Sequence, residues 1–507
     1  MKVLFACSEA YPLAKTGGLG DVGGALPRAL ARLGVQARLL LPAYKTTLDQ
    51  ARPQGLKLLR EFTLEQTTVK LWQSRLSGSR VPVWLVDIPE FSDRDGGLYG
   101  DPSGADWPDN PYRYYMFCKV AEAIARNNIG LQWQPDVVHA NDWQTGLLPA
   151  LLAQQPGAPA TVFTIHNLAY RGIFDYQVFR ELNLPEHWWH HERLEFWGNF
   201  SYLKAGLVYA DAITTVSPSY AEEIKTEAFG CGLEGLLSHR AHCLSGIVNG
   251  IDTDTWNPGT DRHLEVGYSR RTLKRKGYNK SALQRELGLP EDNSLALVGF
   301  IGRLVEQKGI ALMLEALPPL LRQERCQLVV IGSGQAEFEA ALKALQAEFP
   351  QQVSVTIGYD EGLSHRIEAG SDIFLMPSLF EPCGLNQMYS QRYGTIPVAH
   401  FVGGLRDTIV NFSDSSGAID ATHASALENI DETGFLFSEA SGAALASALN
   451  HALTCFDNPL LWRKLQDNAM SQDFAWGKSA RAYLELYRQT VNATTQSSDA
   501  ADQAAAL

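Results

Sequence analysis

The chain has 507 residues, 45% of them hydrophobic and 20% charged, with a formal net charge of −13. That length is too great for one compact core and implies two domains of ordinary globular composition. The acidic balance argues against a nucleic-acid partner, and no apolar run approaches the roughly 18–20 residues that span a bilayer.

A secretory signal is not expected, because the first apolar stretch is short and Glu9 follows at once. Seven cysteines, odd in number and never in C-x-x-C spacing, fit reduced thiols in a cytoplasm and offer no zinc site. The chain opens on a short buried strand, Lys2–Cys7, and then a glycine-rich loop with one lysine, Lys15-Thr16-Gly17-Gly18-Leu19-Gly20-Asp21-Val22. A helix is predicted from Asp21 to Gly34, with Val22, Leu26, Ala29 and Leu33 on one face and Pro27 marking a kink or a late start. Glycines between strand and helix let backbone N–H groups approach an anion, and the helix N-terminus adds a favourable dipole. With Lys15 present, this loop is expected to bind something anionic. Gly18-Leu-Gly20-Asp-Val-Gly23 also spells the G-x-G-x-x-G of dinucleotide folds. That reading fails because Glu9 to Lys15 separate the glycines from the strand, and the next strand, Ala37–Pro42, ends without an acidic residue.

Further strands are predicted at Asp136–Ala140, Ala160–Ile165 and Ala212–Val216. Polar residues follow their ends: Asn141, Asp142 and Trp143, then His166 and Asn167, with Asn249 and Asp252 beyond. Each alone reads as a capped turn or a satisfied histidine; together they point to a site. Prolines, glycines and charges accumulate over 250–293, which reads as a linker, and Arg270–Lys276 with Lys280 reads as a solvated basic face. Strands resume at Ser294–Ile301, Cys326–Ile331, Val353–Ile357, Ile373–Met376 and Ile396–Ala399, with helices such as Ile310–Leu321 and Ala336–Glu348 between. This β-then-α rhythm signifies α/β units with parallel sheets covered on both faces. Two such sheets facing each other would form a cleft at the carboxyl ends of their strands.

The loop Gly302-Arg303-Leu-Val-Glu-Gln-Lys308-Gly309 is the counterpart of the first one, with two cations suited to phosphate oxygens. The densest constellation is Met376-Pro-Ser-Leu-Phe-Glu381-Pro-Cys383-Gly384-Leu385-Asn386. There Gly384 and Leu385 present N–H groups at a helix start, and Glu381 suits sugar hydroxyls or positive charge developing at an anomeric carbon. Gly403-Gly404-Leu405 offers another anion cradle. His187-Trp-Trp-His190-His191 reads as a packed aromatic turn, and the Ser-, Asp- and Ala-rich residues 492–507 read as a disordered tail.

Taken in order, these stretches resemble the bacterial glycogen synthase and plant starch synthase family, glycosyltransferase family 5. The matches run almost end to end, through Asn141-Asp142-Trp143, His166-Asn167-Leu-Ala-Tyr170, Asn249-Gly-Ile-Asp252, Gly302-Arg303, Gly358-Tyr359, Glu381-Pro-Cys-Gly-Leu385 and Phe474-Ala-Trp476. The resemblance implies a GT-B fold of two Rossmann-like domains facing a cleft: 1–249 on the acceptor side, 250–475 on the nucleotide-sugar side, and a helix over 476–491 returning to the first. It implies retaining transfer of glucose from ADP-glucose to the non-reducing end of an α-1,4-glucan such as glycogen, without metal or other cofactor. By that likeness Lys15, Gly17, Gly18, Arg303 and Lys308 hold the diphosphate and Tyr359 packs near the adenine. Asp142, His166, Asn167, Asn249 and Glu381 surround the glucose, with Cys383, Gly384, Leu385 and Asn386 on its hydroxyls and the phosphate.

The chain departs from the family pattern at Gly20, Asn386, His400 and Val402, where relatives often carry alanine, threonine, arginine and threonine. These changes bear on nucleotide affinity. Eight residues past Glu381, where many retaining GT-B enzymes have a second glutamate, stands Tyr389. Same-face attack by the acceptor is therefore expected over a double displacement, which needs a placed carboxylate nucleophile. Two other readings remain open at this level: a GT-B enzyme using UDP-glucose or a different acceptor, and a non-catalytic glucan-binding protein. Oligomeric state is not readable.

Overall fold

The short apolar runs of the first half line up as one nine-stranded sheet in a computed structural model that describes residues 1–413 and 430–505. In chain order come β1 (Lys2–Ala6), β2 (Gln36–Pro42), β3 (Lys57–Leu64), β4 (Thr67–Arg75), β5 (Pro82–Asp87), β6 (Val137–Asn141) and β7 (Ala160–Ile165). Three short strands, β8 (Ile173–Phe174), β9 (Glu195–Phe196) and β10 (Asn199–Ser201), form a separate antiparallel sheet, and β11 (Ala212–Thr215) and β12 (Leu244–Gly246) complete the large one. Its order is β12-β11-β7-β6-β1-β2-β5-β4-β3, parallel from β12 to β5, with the β3–β4 hairpin antiparallel at one edge. Strand order reverses between β1 and β6, and the loops leaving those two strands diverge there.

The first helix spans Gly18–Arg32, so it begins before the expected Asp21 and carries Pro27 in its interior. A Cβ on Gly23 would lie 2.2 Å from the Glu9 carbonyl oxygen, and one on Gly24 would lie 2.4 Å from that of Tyr11. Gly23 and Gly24 thus let the helix lie against the 9–11 loop, whereas a Cβ on Gly18 would meet nothing within 4 Å.

The chain separates into two units, Met1–Gly250 with Trp476–Leu507, and Ile251–Ala475. The last helix, Trp476–Ala505, packs in the first unit: Trp476, Ala480, Tyr483 and Tyr487 are buried in one cluster with Val3, Phe5 and Val162. The Tyr487 hydroxyl and His139 Nδ1 share a hydrogen bond of 2.7 Å. This helix runs on over 492–505, where composition suggests a disordered tail; the Thr494 and Thr495 hydroxyls donate to carbonyls one turn back. Residues 506–507 lie outside the described residues. His187–His191 forms an aromatic turn, with Trp188 buried and Trp189 against Tyr176 and Phe179.

The second unit holds a six-stranded parallel sheet of β13 (Ala296–Ile301), β14 (Cys326–Gly332), β15 (Val353–Ile357), β16 (Ile373–Met376), β17 (Ile396–His400) and β18 (Phe435–Phe437). Its order, β15-β14-β13-β16-β17-β18, reverses between β13 and β16. Residues 251–293 are an ordered part of this unit and not a linker. Trp256 stacks between His365 and Tyr389 at 3.8 Å from each ring, and Lys276–Glu286 is helical. The basic run is likewise only partly solvated. Arg270 grips Asp467, but Lys276 is buried and donates to the carbonyls of Glu368 and Ala369 and to the Thr395 hydroxyl, and buried Lys280 pairs with Asp372 at 2.8 Å. Charge alone could not reveal this, because the acceptors lie about 90 or more residues away. Among the described residues no helix is long and apolar enough to cross a membrane.

The buried tyrosines make the last helix a load on the first unit's stability. Tyr487→Ala is expected to cost about 3–5 kcal/mol and to lower a calorimetric transition, whereas Tyr487→Phe should cost about 1–2 kcal/mol through the lost hydrogen bond. An unchanged midpoint for Tyr487→Ala would refute this packing.

Candidate active site

In the first unit the glycine-rich loop already holds an anion, and that anion is Glu9. One carboxylate oxygen accepts the Thr16 N–H at 2.6 Å and the Gly17 N–H at 3.1 Å; the other accepts the Thr16 hydroxyl and the Tyr99 hydroxyl, each at 2.6 Å. Glu9 is buried, so these donors replace the water its charge would otherwise need. Glu9 thus takes up the Thr16 and Gly17 N–H groups of this loop. Lys15 is exposed and pairs with Asp21 at 2.7 Å. Gly17 and Gly18 are exposed at the start of the helix.

Beside it, at the end of β6, Asp142 adopts φ +58°, ψ −179°, a backbone region that side-chain-bearing residues rarely occupy and that costs about 1–3 kcal/mol. Its Oδ1 accepts the His166 N–H at 2.7 Å and, more weakly, the Asn167 N–H at 3.4 Å. Burial pushes the Asp142 carboxyl up to about 7, with the Glu9 charge a minor contributor. Burial pulls His166 down to about 3, so its ring is neutral. The tautomer follows from the neighbours. Asn141 donates its amide N–H groups to the carbonyls of Ala6 and His139, which turns its Oδ1 toward His166 Nε2 at 2.9 Å. Nε2 therefore carries the proton and Nδ1 is left as an acceptor. Asn249, 6% exposed, has a buried Oδ1 without a hydrogen-bond partner.

In the second unit the loops after β13 and β16 meet. Lys308 donates to Glu381 Oε2 at 2.6 Å, and the Ser378 hydroxyl donates to the same oxygen at 2.9 Å. Arg303, exposed, donates to Gln307 Oε1 at 3.3 Å. Asn386 opens a helix after Leu385, and its amide donates to the Ile301 carbonyl at 2.8 Å, tying the two loops together. Cys383 is buried and Gly384 half-buried. Gly404 is not an open cradle: its N–H donates to the Glu381 carbonyl, and a Cβ there would lie 2.2 Å from the Cys383 oxygen. His400 Nδ1 lies 2.8 Å from the Ser378 carbonyl oxygen and Nε2 3.3 Å from that of Ser438, and a single ring N–H donates to one of the two. Tyr359 is 74% exposed after β15. No role was read for Glu9 from the sequence; the available signal was a carboxylate two residues past the expected strand Lys2–Cys7.

The family model described as the starch synthase catalytic domain matches residues 2–239, and that of glycosyl transferases group 1 matches residues 280–459. A glycogen synthase of Cellvibrio japonicus is 57% identical over 96% of this chain and 98% of its own. Glycogen synthase 1 of Methylococcus capsulatus is 49% identical over 97% of each. Among solved structures, the catalytic domain of starch synthase IV from Arabidopsis thaliana, bound to ADP and acarbose, superposes with a TM-score of 0.85 at 32% identity, covering 97% of this chain and 99% of that one.

The raised Asp142 carboxyl has a stability consequence with a definite sign. Its folded value of about 7 lies above the ordinary carboxyl value of 3.8, so the folded state keeps a proton that the unfolded state releases. Stability from this group is present at acid pH and is lost as pH climbs toward 7, by up to about 4 kcal/mol. Asp142→Asn removes that loss. Its thermal midpoint relative to the unaltered protein should therefore rise between pH 5 and pH 8; an offset equal at both pH values would refute the perturbed carboxyl.

Proposed function

The chain belongs to the glycogen and starch synthase family and is a GT-B glycosyltransferase with glycogen synthase function; from that premise we propose that its donor is ADP-glucose and that transfer to the non-reducing end of an α-1,4-glucan proceeds with retention and without a metal. One observation carries the chemical part: Lys308 and Glu381, on loops from the two strands flanking the reversal of the second sheet, form a tight ion pair. Breaking the glycosidic bond requires charge relief on the departing diphosphate and on the oxocarbenium-like sugar. Lys308, Arg303 and Lys15 serve the first need. As the diphosphate recruits Lys308, Glu381 Oε2 is released to sugar hydroxyls and to the developing positive charge.

Asp142 and neutral His166 of the first unit serve the sugar, His166 through its unprotonated Nδ1, as does Asn249 through its unpartnered Oδ1. Asn167, Cys383, Gly384, Leu385 and Asn386 line sugar and phosphate, and Tyr359 offers a ring to the adenine. With Tyr389 where a second carboxylate would be needed, the acceptor hydroxyl attacks from the face the nucleotide leaves. Seven cysteines, none of them in a disulfide, support a reducing, cytoplasmic setting.

Incubation with glycogen and radiolabelled donor tests the reading. Label from ADP-glucose should enter polymer well ahead of label from UDP-glucose; preference for UDP-glucose would overturn the donor assignment. Glu381→Ala should lower kcat by about 10²-fold or more, and a near-normal rate would remove Glu381 from the chemistry.

A further inference from the structure

Trp197 occupies a backbone position that suits asparagine or glycine. β9 and β10 pair with Phe196 opposite Asn199, so their loop is Trp197-Gly198, with φ of +52° and +78°. Positive φ at both central residues defines a type I′ turn, whose first position favours Asn, Asp or Gly. A tryptophan there is strained. The same side chain is 80% exposed, more than any other large hydrophobic residue described. Backbone and solvation both oppose this residue at this tip, and such local conflicts mark functional positions.

Its surroundings lead back toward Asp142. The indole Nε1 lies beside Gly232, where a Cβ would come within 3.3 Å, so one ring edge rests on that loop while most of the indole stays open to solvent. Arg171 stands 5.7 Å over the Phe196 ring and donates to the Cys231 carbonyl at 2.8 Å, joining hairpin and loop. The next residue, Gly172, abuts Trp143 so closely that a Cβ would meet its ring at 2.5 Å, and Trp143 follows Asp142 in the chain.

We propose that Trp197 is a stacking platform for a glucose ring of the α-1,4-glucan, a subsite that grips the polymer away from its reacting end. This inference rests on the glucan-extending reading above. An indole face supplies a large, rigid apolar area at low entropic cost, which suits the C–H face of a neutral pyranose. The nearby carboxylate is already engaged, since Glu195 accepts the Gly198 N–H at 2.7 Å.

Electrophoresis through glycogen-containing gels and fluorescence titration with maltoheptaose read this site without any donor. Trp197→Asn installs the residue the turn favours, so its thermal midpoint should equal or exceed that of the unaltered protein. Its glucan affinity should fall about tenfold and KM for glycogen rise to match, with kcat and KM for ADP-glucose unchanged. Trp197→Tyr should keep most of the retardation. Equal retardation of Trp197→Asn and the unaltered protein would overturn the subsite, as would lost retardation accompanied by a lowered midpoint in both variants. Retardation without glucosyl transfer by the unaltered protein would strike the proposed reaction and leave the platform standing.

Discussion

The carboxylate of Glu9 fixes the first glycine-rich loop. A charge buried to this degree is tolerated only where donors converge on it, and two amides and two hydroxyls do so. The loop therefore has the shape of an anion nest that is filled from within. Lys15 remains as its outward charge, steadied by Asp21. Glu381 plays the corresponding part in the second unit, where Lys308 and Ser378 converge on one of its oxygens. In both units a carboxylate sits just past the carboxyl end of a central parallel strand, beside the point where strand order reverses. The sheet topology leaves loops diverging there, and the carboxylates give those loops their form.

Most of the strands, and the polar residues that follow them, were legible because each depends on a short, contiguous pattern. Ala160–Ile165, Val353–Ile357 and Ile373–Met376 fall where short runs rich in β-branched and aromatic residues place them. The β3–β4 hairpin was not legible, since its first strand is largely exposed and lacks a clean alternation. Long-range partners defeated the rest. Nothing local says that Lys276 will be buried under the carbonyls of Glu368 and Ala369, or that Trp256 will be stacked between two distant rings. In the site, the charged residues announced themselves by type, whereas Glu9 stayed hidden because its function is to satisfy neighbouring backbone.

Asp142 and Trp197 are two of the eight non-glycine residues that take positive φ among the described residues. For Asp142 the turn carries its Oδ1 across to the N–H groups leaving β7, so strain at one residue aligns two strand ends. Burial then holds the carboxyl near the edge of ionisation. Trp197 joins positive-φ backbone to a side chain that is 80% exposed, with one ring edge against the Gly232 loop. The hydrogen bonds around Asp142 account for its distortion, whereas the one at Trp197 serves the proposed glucan platform.

A net charge of −13 repels an anionic donor at long range, yet fields in physiological salt decay over about 8 Å. Local pairing therefore decides. Lys308 with Glu381 is a neutral pair seen from a distance, and a diphosphate approaching it meets no net repulsion from the pair itself. In the proposed reaction the phosphate exchanges with a carboxylate for the same ammonium group, so no cation is left buried and unpartnered at any stage. That exchange also withdraws from Glu381 its strongest donor at the moment the sugar needs an acceptor nearby. Leaving-group binding and release of the carboxylate are thus two sides of one competition for Lys308, and the Ser378 hydroxyl keeps the freed oxygen in place while it occurs.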